Sequence, residues 1–296
     1  MPRLLLWTAG LLFFAVLIGV LIQADRERGR KDVVPATAPQ NAKPDNLRPL
    51  QTDSPDATGP VVLTPKKTDG KQPSPPCIAL IIDDLGQADL ALVLRLCSLN
   101  VPLTVAILPF LQHSHDSARA ANSSGLEVIL HMPMEPVGYP GPGKNPGPGA
   151  VLSDQSETEV RERIVLAMRD IPFAVGLNNH MGSRITPDRE RMAWILDEVK
   201  KKHWYFLDSR TEKDTIALEL ARELGIPALA RKVFLDDSSN PAEIAYQWER
   251  AMALAKQEEQ VVIIGHIHYE TVAFLENVIP AVKNEMIFVK ASALAR

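Results

Sequence analysis

Two adjacent carboxylates, Asp83 and Asp84, close the apolar run Ile78–Ile82 and lead into a turn glycine, Gly86. Like charges at the end of a buried run are costly unless a cation or a shared proton lies between them. Comparable side chains recur after later apolar runs. His131 follows "EVIL", and Asn178, Asn179 and His180 follow "FAVGL". Asp208 follows "WYFL", Asp236 and Asp237 follow "ALARKVFL", and His266 and His268 follow "VVIIG". Carboxylates and imidazoles are the donors of divalent-cation sites that keep a position open for water. They are also the usual groups for moving protons in hydrolysis. A single histidine after a strand is more often a satisfied turn residue. Delivery of such groups from five or six strands to one rim is not explained that way.

The elements that must position them are legible in the pattern. Apolar runs predict strands at Ile78–Ile82, Leu103–Leu108, Glu127–Leu130, Phe173–Leu177, Trp204–Leu207, Ala228–Leu235 and Val261–Ile264, with a short one at Met286–Val289. Amphipathic stretches between them predict helices near 88–99, 114–124, 156–169, 187–202, 214–224, 241–257 and 270–283. Ser156 with Glu159 reads as a capping box. Thr186-Pro187 and Asn240-Pro241 each read as a cap followed by a helix-starting proline. Continuous apolar strands alternating with helices predict a parallel sheet covered on both faces, as a closed or nearly closed β/α barrel or an open doubly wound sheet. In either case the strand C-termini share one face, where sites assemble. Adjacent strand residues point opposite ways, so Asp83 and Asp84 share a site only if the strand ends at about Asp83.

The rest of the chain is organised differently. Leu4–Ile22 carries no charge and would form a helix of roughly 28 Å, close to the ~30 Å bilayer core. We read residues 1–25 as an N-terminal membrane anchor in preference to a cleaved signal, 26–76 as a disordered Pro-rich linker, and 77–296 as the folded domain. Arg26, Arg28, Arg30 and Lys31 after the span favour a cytoplasmic C-terminal side. The position of the span favours export, and we expect inner-membrane anchoring with the domain in the periplasm. A net charge of −4 gives no polyelectrolyte argument for nucleic acid, no basic stripe interleaved with aromatics is visible, and we expect no nucleic-acid partner. Cys77 and Cys97 can pair in an oxidising compartment or remain separate thiols.

"IIDDLG", "HMPMEP", "GLNNHMGSRIT", "FLDSRT" and "VVIIGH" together resemble the divergent polysaccharide deacetylase family, within the polysaccharide deacetylase superfamily. The resemblance spans about residues 77–290. It implies a distorted (β/α)7-type barrel and metal-dependent removal of an acetyl group from a sugar in the bacterial envelope. Carried over, it makes Asp83 the base, Asp84 and His131 metal ligands, and His266 the acid. The superfamily's second histidine ligand stands four residues after the first, where this chain has Glu135. Either Glu135 ligates or His180 does; an Asp-His-His set suits zinc, and we favour His180. Glu135 would then orient a ligand from behind. The usual arginine-proline motif is replaced by "NNHMGSR", which offers Arg184 as the partner of Asp83. Asn179 and Asp208 complete the candidate substrate-side or supporting residues. The implied cofactor is a divalent metal, zinc by preference. The implied partners are an acetylated glycan or peptidoglycan-type polymer, the membrane through the N-terminal segment, and an envelope protein.

Two other readings remain open. The departures fit an inactive glycan- or protein-binding module on the same fold. "GHIH" with "NNH" also resembles binuclear metallophosphoesterases, although those place Asp-x-His where this chain has Asp83-Asp84-Leu85. The Gly- and Pro-rich stretch "VGYPGPGKNPGPG" from Val137 to Gly149 is either a lid, a groove wall or a plain flexible excursion.

Overall fold

The computed structural model describes residues 75–296. The expected anchor and all but the end of the expected linker lie outside the described residues. Among the described residues no helix is long and apolar enough to cross a membrane.

Strands β1 (Cys77–Leu85), β2 (Thr104–Ile107), β3 (Glu127–Met134), β4 (Ala174–Met181), β5 (Tyr205–Asp208), β6 (Ala228–Ala230), β7 (Val233–Phe234), β8 (Gln260–His266) and β9 (Ile287–Val289) alternate with helices. The helices are α1 (Leu90–Cys97), α2 (Ser114–Ser123), α3 (Glu157–Asp170), α4 (Arg189–Lys201), α5 (Ala217–Glu223), α6 (Pro241–Glu258) and α7 (Tyr269–Val282). All ladders are parallel, in the order β6-β5-β4-β3-β2-β1-β8-β7, with β9 added to the start of β1. This is an α/β half-barrel of parallel strands consistent with a (β/α)7-type fold.

The two ends of that order belong to one stretch of chain. β6 pairs with β5, and β7, two residues later, pairs with β8. The change of partner falls between Arg231, whose amide donates to the Asp208 carbonyl, and Lys232, whose amide donates to the Val262 carbonyl. The predicted single strand Ala228–Leu235 is therefore two short ones with a seam between them.

Strand alternation sorts the apolar residues into two layers. Ile78, Leu80 and Ile82 face the helices, in one cluster with Val93, Leu96, Ile164, Leu196 and Val272. Ala79 and Ile81 face the inside, with Ala106, Ile129, Leu207, Leu229, Val262 and Ile264. One buried polar group sits among the inner residues. Glu127 accepts from the hydroxyls of Thr104 and Tyr205, both at 2.9 Å, and from the Ser292 amide at 3.1 Å, which satisfies a carboxylate that would otherwise be expensive to bury.

The helix starts follow local chemistry. Ser156 and Glu159 form the expected capping box, and Asn240 accepts from the Ala242 amide at 2.9 Å. At α4 the cap is Asp188 rather than Thr186, because its carboxylate reaches the Glu190 and Arg191 amides. Cys77 and Cys97 are both free thiols.

Candidate functional site

The inward alternation of β1 continues from Ala79 and Ile81 to Asp83, which is buried. Its ladder with β8 ends at the pair Asp83–His266. Asp84 reaches the same mouth by another route than strand termination. It adopts φ 65°, and the register with β2 slips between Ile82 and Leu85. A left-handed residue in a bulge re-aims its side chain, so both carboxylates face one space. Gly86 then turns at φ 108°, where a Cβ would come to 3.0 Å from the Leu108 carbonyl oxygen and the Ser114 hydroxyl.

β3 supplies His131 and β4 supplies His180. The ladder sets His131 opposite Asn178 and Pro133 opposite His180. Asp84 Oδ1 lies 3.1 Å from His131 Nε2 and 2.9 Å from His180 Nδ1, and the two nitrogens are 3.1 Å apart. These are three ligand atoms of Asp84, His131 and His180 within 4.8 Å of one another. Among the described residues Asp84 Oδ1 is buried without a properly directed hydrogen bond. Nδ1 of His131 faces the Asn178 carbonyl oxygen at 2.8 Å, an arrangement in which Nδ1 donates and Nε2 keeps its lone pair toward Asp84. Acceptors that converge this closely need a cation or extra protons between them. The donor set fits a divalent cation.

The same carboxamide serves Asp83. Asn178 Nδ2 donates to both carboxylate oxygens, at 3.0 and 3.1 Å. Burial raises the Asp83 pKa, while His131, His266 and the Asn178 hydrogen bond work against that rise. Burial also pushes Asp84 upward, but the two imidazoles outweigh it and hold Asp84 well below the ordinary carboxylate range. Burial opposes charge on His131; the facing Asp83 and Asp84 prevail and raise its pKa.

Across the mouth, β7 and β8 deliver a second pair. His266 Nδ1 is 2.8 Å from Asp236 Oδ1, and Asp236 Oδ2 accepts from the His266 amide at 2.7 Å and the Thr271 hydroxyl at 2.6 Å. Burial alone would lower the His266 pKa, but Asp236, helped by Asp83 and Asp84, raises it to about 9. Phe234 stacks on the His266 ring with centroids 5.6 Å apart and planes 21° apart. A cavity of about 460 Å³ joins the two clusters. Besides Asp83, Asp84, His131, His180 and His266, its walls include Asn179, Lys144, Thr211, Phe234 and His268.

Four expected residues have particular places. Asn179 lines the cavity, donates to the Met181 carbonyl at 2.8 Å and accepts from the Ser209 amide at 2.9 Å, so it fixes the loop after β5. Asp208 is buried away from the cluster. It accepts from the Arg210 amide at 2.8 Å and the Thr215 hydroxyl at 3.0 Å, and so shapes the same loop. Glu135 accepts from the Ser153 amide at 2.5 Å and pairs with Arg184 at 3.0 Å. Arg184 thus lies on Glu135 rather than on Asp83, and the donor beside Asp83 is Asn178. The Gly- and Pro-rich stretch is pinned at its base by Glu135 and Val151, and it sends Gly143 and Lys144 to the cavity wall.

Asn178 and Asp236 are the residues to which the motifs alone assigned no role. The signal for Asp236 was present, since it ends a strand on the same rim. For Asn178 the signal is its position two residues before His180, on the same face of β4.

The divergent polysaccharide deacetylase model matches residues 80–295. The chain belongs to the divergent polysaccharide deacetylase family. Within this family, it is 36% identical over 217 residues to YibQ of Escherichia coli (strain K12), covering 73% of this chain and 66% of that protein. It is 32% identical over 202 residues to a protein of Haemophilus influenzae (strain ATCC 51907 / DSM 11121 / KW20 / Rd), covering 67% and 69%. The chain thus spans just under two thirds of the length of YibQ. The fold is similar to the crystal structure of ATU2773 from Agrobacterium tumefaciens C58, with a TM-score of 0.70, 22% identity and coverage of 75% of this chain and 89% of that one.

Proposed function

We propose that this divergent polysaccharide deacetylase family member is a metal-dependent hydrolase that removes acetyl groups from a glycan of the bacterial envelope. The observation that carries the reading is the convergence of Asp84, His131 and His180, with Asp83 on one side and the Asp236–His266 pair on the other.

Asp84, His131 and His180 would hold the cation, with zinc as the candidate their chemistry favours. A divalent cation there supplies Lewis acidity, which makes water a competent nucleophile near neutral pH and stabilises charge developing on an acyl oxygen. Asp83 takes the proton of the attacking water; the burial that raises its pKa makes it a better acceptor. Asn178 holds the Asp83 carboxylate through both oxygens and steers its approach. His266 donates a proton to the departing amine or alcohol, and Asp236 keeps that ring charged and oriented.

The apolar segment Leu4–Ile22 supports anchoring in the inner membrane with the domain on the periplasmic side, within reach of a peptidoglycan-type polymer. A reporter fused after Arg296 should be active outside the cytoplasm, and a cytoplasmic readout would reverse this placement.

The test of activity is acetate release by the purified full chain from acetylated peptidoglycan and chitin-type oligomers. Turnover that vanishes in Asp83→Asn while bound metal stays stoichiometric supports the hydrolase. Absence of turnover on every acetylated substrate, with tight glycan or protein binding retained, would instead make the protein a binding module.

A further inference from the structure

The seam in the strand order opens a second cavity, of about 650 Å³, in the wall between β6 and β8. Its apolar lining comes from Leu218, Leu229, Val261, Val262 and Leu294. Its charged lining is strongly one-sided. Arg210, Arg222, Arg231 and Lys232 meet one side-chain carboxylate, Glu258, which is already engaged by Lys232 at 2.9 Å; Arg296 brings both its guanidinium and its backbone carboxylate, whose oxygen accepts from the Ala228 amide at 3.0 Å. Among the described residues neither Arg210 nor Arg222 has a carboxylate within 4.0 Å.

Arg231 anchors this group. Its Nε donates to the Ser209 carbonyl at 2.7 Å and a terminal nitrogen donates to the Arg210 carbonyl at 2.8 Å. Its guanidinium lies 3.7 Å over the Phe234 ring. Burial and the like charge of Arg210 push the Arg231 pKa down to about 10, against the pull of Asp208 and Asp237. Guanidinium groups gathered at one partly apolar cleft, in excess over the carboxylates beside them, attract a multiply charged anion together. Planar guanidinium groups match phosphate oxygens better than point charges do.

We propose that the cleft at the β6–β8 seam is an anion site for a phosphate-bearing ligand, with Arg210 and Arg222 as its recognition residues and the Leu218–Leu229–Val262 wall receiving the apolar part. The cleft shares no lining residue with the cavity at the metal cluster. Phosphate has two sources with this chemistry, a soluble phosphate ester or a phospholipid headgroup, and the probes separate them.

The full chain is stripped of metal with chelator, so that no cation at Asp84 captures phosphate. It is then titrated calorimetrically with pyrophosphate and, separately, with dihexanoyl phosphatidylglycerol below its micelle concentration. Saturable binding of at least one probe is expected. It should weaken tenfold or more in Arg222→Gln and in Arg210→Gln, weaken with added salt, and persist in Asp84→Asn. Preference for pyrophosphate marks a soluble ligand, and preference for the lipid marks a headgroup. Arg222 is exposed on α5, so its variant keeps the fold and decides the matter even where Arg210→Gln perturbs its loop. No saturable binding of either probe, or binding that survives Arg222→Gln unchanged, would overturn the site. Neither result bears on acetate release.

Discussion

Asp236 grips His266 at two points, the backbone amide at 2.7 Å and ring Nδ1 at 2.8 Å. One carboxylate thereby sets both the position of the residue and the charge of its ring. With its pKa raised to about 9, His266 is protonated through the neutral range. An acid of this kind loses activity as pH rises through about 9. Asp236→Asn removes the charge that raises the pKa, so the alkaline limb of the kcat profile should move toward the ordinary histidine value of 6.5. The pair also adds stability that is complete below about pH 6.5 and fades as pH rises through about 9. Profiles of the two proteins with superimposable alkaline limbs would show that His266 is not the group that titrates.

Asn178 joins His131 to Asp83 through one carboxamide. Asn178→Ala should weaken metal binding about 10–100-fold, the usual cost of losing an outer partner of a ligating histidine. Asn178→Asp keeps the acceptor for His131 but loses the donor to Asp83. It should restore much of the metal affinity without restoring turnover. Competition with a chromogenic chelator reads the first effect and acetate release the second.

His131→Ala removes one of the three proposed ligand atoms, and bound metal measured by atomic emission should fall to background. The imidazole touches mainly polar groups, so the circular dichroism spectrum should keep its native form. Stoichiometric metal in this variant would remove His131 from the ligand set.

Ser156 and Glu159 cap α3 reciprocally, with the Ser156 amide 2.8 Å from Glu159 Oε2. Ser156→Ala should cost about 1 kcal/mol of stability in urea unfolding, with no change in metal content.

Much of this architecture was legible because burial and periodicity act locally. Runs such as Ile78–Ile82 and Val261–Ile264 can be satisfied only as strands covered on both faces, and the same rule placed Asp83 and His266 at one rim. What escaped was set by backbone detail and by pairing across strands. The bulge at Asp84 is a left-handed conformation of a non-glycine residue, which composition does not announce. The seam after Ala230 depends on which neighbour each amide finds. Arg184 and Asn178 both carry donors, and only the fold shows that one points to Glu135 while the other reaches Asp83.

The stretch that changes neighbours at Arg231 ends, a few residues later, in Asp236. Whatever prises that stretch from β8 withdraws the counter-ion of His266 in the same movement. Completion of the wall and charging of the His266 ring are one event, so a partly assembled chain would lack the proton donor that the proposed hydrolysis requires.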